Sequence, residues 1–112
     1  MKRAKPDAGT LLLIHLRELG VKAYTPEFKF CSGRRWRADF AIWPHDPARH
    51  TILVEIEGAV WAQGRHTRGS GYVKDLEKYN MAASLGYRLF RFTTEQVLKG
   101  YAKEFLRKYG GL

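Results

Sequence analysis

The chain has 112 residues, 45% hydrophobic and 28% charged, enough for one domain with a real core and too few for two. Twenty Lys and Arg against eleven Asp and Glu give a net charge of +9, which favours a polyanionic partner and places nucleic acid ahead of an anionic membrane surface. No apolar run approaches the roughly 20 residues of a membrane span, residues 11–14 are too short for a signal-peptide core, and Cys31, the single cysteine, excludes an intrachain disulfide and a cysteine-built zinc site, so a soluble, cytoplasmic protein is expected.

Residues 1–8 read as a basic, loosely ordered lead. Over 10–19, Leu12, Leu13, Leu16 and Leu19 recur at helical spacing and Gly20 follows as a stop. Residues 21–26 read as a loop and short extended piece. Residues 27–30 alternate as a strand, with a turn at Ser32-Gly33-Arg34. A second strand is expected over 35–43, closed by Pro44, then a loop with two prolines over 44–50 and a β-branched, apolar strand over 51–57 ending at Gly58.

A Gly-rich basic loop (64–71) leads into a helix over 72–85, which Gly86 is placed to end. A fourth strand follows over 87–92. Thr93 and Gln96 have capping-box spacing, and Val97, Tyr101 and Phe105 then fall four apart in a last helix that ends at Gly110-Gly111. The expected architecture is α/β in the order α-β-β-β-α-β-α, a mixed sheet of about four strands flanked by helices. The helix between strands three and four permits a parallel crossover.

Three acids sit in strands whose other residues want burial. Alternation puts Ala38, Phe40 and Ile42 on one face and Asp39 on the other, and gives Glu55 and Glu57 a common face away from Val54 and Ile56. If strands two and three are neighbours, Asp39 and Glu55 meet. Such a cluster repels itself unless a cation compensates, and hard oxygen ligands select Mg²⁺ or Mn²⁺. The alternative is ion pairing with Arg35, Arg37, Arg88 or Arg91 on a solvated sheet face.

The basic loop offers glycines, Arg65, His66 and Arg68 beside a helix start, a suitable cradle for phosphate; the alternative is a flexible connection. It is not a nucleotide-binding P-loop, because the Gly-Lys-Ser/Thr ending is absent. Near a bound phosphate, His66 is a candidate acid or base. Lys74 and Lys78 share a helical face and are candidate backbone contacts, or an ordinary solvated face. Trp36, Trp43 and Trp61 read as core or rim packing, with Trp61 also placed to stack on a base.

In this order, Arg37-Ala38-Asp39-Phe40, Val54-Glu55-Ile56-Glu57-Gly58, His66, Lys74-Asp75 and residues 86–92 resemble the PD-(D/E)xK nuclease superfamily. The motif order is similar to the branch holding the very-short-patch-repair (Vsr-like) endonuclease and EDxHD homing-endonuclease domains, and to small phage and bacterial endonuclease-like proteins. The resemblance covers roughly residues 10–98. It implies a restriction-endonuclease-like core with a divalent-metal site in which Asp39 matches the superfamily aspartate and Glu55 the second acid. Glu57 stands where that motif usually has lysine, as in restriction-type members with Glu-x-Glu. Lys74 would then supply the missing cation, or Glu57 would act through a second metal. In the Vsr-like alignment Glu57-Gly58 takes the place of an Asp-Gly pair, His66 matches the active-site histidine and Asp75 the late aspartate. Relatives carry a glutamate early in the first helix, where this chain has only Glu18, placed late.

The function expected from these readings is a Mg²⁺- or Mn²⁺-dependent endonuclease cutting duplex or branched DNA. Asp39, Glu55 and Glu57 would hold metal, His66, Lys74 and Asp75 would share the catalytic work, and Arg35, Arg65, Arg68, Lys74, Lys78 and Trp61 would grip DNA. A homodimer would suit two-strand cleavage. The alternative is a non-catalytic nucleic-acid-binding module on a degenerate nuclease fold.

Overall fold

The structure, a computed structural model, describes residues 7–58 and 70–112. Its elements run α1 (Ala8–Glu18), β1 (Tyr24–Lys29), β2 (Arg37–Ile42), β3 (Ile52–Glu57), α2 (Ser70–Ser84), β4 (Arg88–Thr93), α3 (Thr94–Leu98) and α4 (Tyr101–Tyr109). The strands form one sheet in the order β1-β2-β3-β4. The first two pairings are antiparallel, and β3 pairs with β4 in parallel across the α2 crossover. This is the expected α/β order with a mixed four-stranded sheet.

Helix α1 starts earlier than the leucine spacing suggests. Asp7, assigned from sequence to the loose lead, is its N-cap and accepts the Thr10 N–H at 2.7 Å, satisfying one of the unpaired donors of the first turn. Residues 1–6 of the lead lie outside the described residues. At the other end of the chain, Thr93 Oγ1 accepts from Gln96 N and Gln96 Oε1 accepts from Thr93 N, both at 3.0 Å, which is the expected capping box. Thr93→Ala is expected to cost about 1 kcal/mol, read as a lower urea midpoint at unchanged slope.

The single last helix expected from sequence is two helices. Gly100 adopts φ 81°, a left-handed conformation that ends α3 and restarts the chain as α4. The four-residue spacing of Val97, Tyr101 and Phe105 therefore runs across two helices rather than along one. Val97 is buried, but in α4 the buried positions are Ala102 and Leu106, while Tyr101 is exposed. Phe105 is partly buried against the same core, and Tyr101 and Tyr109 on either side of it are exposed.

Two apolar clusters lie on opposite sides of the sheet. Leu12 and Leu16 of α1, Val97 of α3, and Ala102 and Leu106 of α4 pack with Phe40, Ile42, Ile52, Val54 and Phe92. On the other side Ala82 of α2 packs with Phe30, Ala38, Ala41 and Leu53. Ala38 thus belongs to the opposite cluster from Phe40 and Ile42, which corrects the strict alternation expected along β2. The break falls at Asp39. Across the hairpin, Pro26 pairs with Phe40 and Phe28 with Ala38, while Glu27 between them has φ 51°. A left-handed residue in a strand reverses the sense of its side chains, and β2 follows its partner through the same reversal.

Candidate functional site

The β2–β3 ladder ends at Phe40 opposite Val54. One residue beyond, the strands no longer exchange main-chain bonds, and Asp39 Oδ2 accepts the Ile56 N–H at 2.7 Å instead. A carboxylate accepting a backbone N–H makes a strong, charge-assisted bond, so the aspartate is fixed where the strands part. It lines a groove with Pro26 and Glu27 of β1, Phe40, Ile56, and Asp7 and Gly9 at the start of α1.

Glu55 lies on the other side of β3, facing α2, and is only 8% exposed. Its Oε1 accepts from Lys78 Nζ at 2.6 Å, with both side chains largely enclosed. Burial raises the Glu55 carboxyl above its ordinary range, the Lys78 bond and charge oppose that rise, and Asp39 and Glu57 add repulsion that reinforces it. Asp39 and Glu57 thus both act on Glu55 through their charge, but Asp39 faces the groove beside α1 while Glu55 faces α2.

Glu57 is drawn elsewhere. It pairs with Arg91, which lies opposite Glu55 in the parallel β3–β4 register, and the Arg91 guanidinium lies 4.0 Å over the Tyr79 ring. Burial, reinforced by Glu55, raises the Tyr79 phenol well above its ordinary value. The three-acid metal set is thus divided. Among the described residues no three His, Cys, Asp or Glu side chains converge to hold an ion, and Asp39 and Glu55 are the pair that remains. The pairing with Arg91 is the ion-pair alternative realised for Glu57, and Glu55 is paired as well, with Lys78 rather than with one of the arginines.

Among the described residues Asp39 and Glu55 each use one oxygen in the bonds above; a Mg²⁺ ion held by either would be completed by water and substrate phosphate. Lys74 and Asp75 are exposed on α2, one turn before Lys78, whose ammonium reaches Glu55. Lys78 therefore stands within the acidic site, where sequence placed it on the DNA backbone. The signal was present in the helix period, because Lys78 precedes the buried Ala82 by four residues and shares its sheet-facing side.

Glu18 is paired with Lys103 of α4 at 3.0 Å, away from the acids. Arg35 is exposed in the turn before β2. Its neighbour Arg34 stacks 3.8 Å over Trp36 and reaches Glu77 of α2 at 3.6 Å. Arg88 donates to the carbonyls of Tyr109 and Gly110, anchoring the end of α4. Trp36 stacks on Phe30 and Trp43 packs on the α1-side cluster, as expected of core and rim residues. Trp61, Arg65, His66 and Arg68 lie outside the described residues. Among the described residues no helix is long and apolar enough to cross a membrane. No family model, curated protein or solved structure matches the chain.

Proposed function

We propose that the chain is a Mg²⁺- or Mn²⁺-dependent DNA endonuclease acting in the cytoplasm, with Asp39 and Glu55 as its metal-holding pair. The observation that supports this most is a buried carboxylate, Glu55, with a second, backbone-fixed carboxylate, Asp39, across the same strand end and acting on it through its charge, in a chain of net charge +9. Acids placed against each other oppose folding unless a cation belongs with them. When bound, the ion supplies charge neutralisation on a phosphodiester and lowers the pKa of a water. Asp39 is held by the Ile56 N–H, so its remaining oxygen is oriented before any ligand arrives. Lys78 favours the ionised form of Glu55 and would orient a nucleophilic water there, in place of the lysine that Glu57 displaces. Lys74, Arg35 and the basic residues 65 and 68 would meet the phosphate backbone.

Supercoiled, linear, single-stranded and branched DNA incubated with Mg²⁺, Mn²⁺ or EDTA test the reading. Metal-dependent cleavage of at least one form is expected, and all forms intact under every metal condition would end it. The Lys78–Glu55 pair also favours a second reading, a binding module whose acid is already neutralised without metal. Ca²⁺ separates the two. It tightens DNA binding if the acids hold an ion, and leaves affinity unchanged if they do not.

A further inference from the structure

Along the exposed side of α4, Tyr101, Phe105 and Tyr109 follow one another at four-residue spacing, so their rings form one row. Adjacent centroids are 6.0 and 4.8 Å apart. Phe105 leans edge-on against Phe90 and Phe92 of β4, which holds the row in place, while Tyr101 and Tyr109 are 51% and 57% exposed. Basic groups lie at one end of the row. Arg107 and Lys108 line the same shallow groove, and Lys108 Nζ lies 5.9 Å from the Tyr109 ring centre. Glu104, the one acid in the groove, is held by Arg107 at 2.9 Å.

The direction of the row matters. Tyr101 packs against Phe92, and Phe92 pairs in register with Ile56, between Glu55 and Glu57. Tyr109 lies at the other end, where Arg88 binds its carbonyl. The row therefore begins beside the acidic end of the sheet and runs back along β4. Exposed rings with cations at one end of their row are the chemistry that stacks bases and holds phosphates of a single strand. A second copy of the chain would set Arg107 and Lys108 against their own like, and α4 cannot lie flat on a bilayer while Ala102 and Leu106 are buried in the core.

We propose that the α4 aromatic row binds single-stranded nucleic acid, with bases stacking on Tyr101 and Tyr109 and phosphates against Arg107 and Lys108. The proposal rests on the chain's being a nucleic-acid-binding protein, but not on its being a nuclease.

Fluorescence anisotropy with a labelled single-stranded oligonucleotide, in EDTA so that nothing is cut, tests it. Stacking on each ring makes the affinity about tenfold tighter, so the double variant Tyr101→Ala/Tyr109→Ala is expected to bind about a hundredfold more weakly. Tyr101→Phe/Tyr109→Phe keeps the rings and should bind like wild type; an unchanged circular dichroism spectrum shows that the alanine variant is folded. A folded alanine variant with wild-type affinity overturns the proposal. So does concentration-dependent doubling of mass, or binding to anionic vesicles, that the alanine variant loses while keeping its oligonucleotide. The two readings fail separately: tyrosine-dependent binding without nicking removes only the nuclease, whereas nicking with tyrosine-independent binding removes only the row.

Discussion

Lys78→Met is expected to cost about 3 kcal/mol of stability at neutral pH, the lower end of what breaking a buried ion pair costs, because the two side chains keep 17% and 11% of their exposure. Methionine fills the space of the lysine stem but leaves the Glu55 carboxylate enclosed without its cation. The pH dependence follows from the raised Glu55 carboxyl. A carboxyl whose pKa is higher folded than unfolded stabilises the fold fully below its ordinary value of 4.5, and that contribution is lost as pH climbs through the higher folded value. Without Lys78 the rise is larger, so the deficit of the variant relative to wild type should shrink on acidification toward 4.5 and widen above it. Urea melts at a series of pH values measure this directly. Adding Glu55→Gln should recover most of the loss at neutral pH, since an amide needs no counterion. A pH-independent deficit that Glu55→Gln does not relieve would assign the effect to packing of the lysine stem.

Asp39→Asn should slow nicking on the order of a hundredfold to a thousandfold while leaving the fold intact. Asparagine keeps a carbonyl oxygen to accept the Ile56 N–H, so the parted strands stay bridged, but it carries no charge for a metal ion. Loss of a ligand that neutralises transition-state charge removes several kcal/mol, on the order of a hundredfold to a thousandfold in rate. Asp39→Ala should add a stability loss of about 1–3 kcal/mol, from stranding the Ile56 N–H. Nicking rates with Mg²⁺ and Mn²⁺, beside melting temperatures, separate the two effects. Undiminished nicking by a folded Asp39→Asn variant would move the chemistry away from this strand end.

The element order was legible because each piece carries its own punctuation, such as Gly20 after α1, the capping box at Thr93 and the apolar run of β3. What resisted reading was side-chain direction. The reversal at Asp39 depends on Glu27 in a neighbouring strand taking φ 51°, and nothing local in β2 encodes that. The division of the acids likewise depends on Arg91 lying opposite Glu55 and within reach of Glu57, which is fixed only once the parallel register is known. The four-residue spacing of Lys78 from Lys74 is visible in the sequence, and its four-residue spacing from the buried Ala82 aims it at the sheet.

The strand order β1-β2-β3-β4 leaves β1 and β4 as the borders of the sheet. An unpaired border is a template on which other chains can add strands and grow fibrils. Here β1 carries Pro26, which has no N–H to donate, and bends immediately afterwards at Glu27. On the opposite border, β4 places the charged Arg88 and Arg91 among its aromatic residues. The same kink that turns Asp39 into the gap between strands thus also spoils β1 as a seed for aggregation.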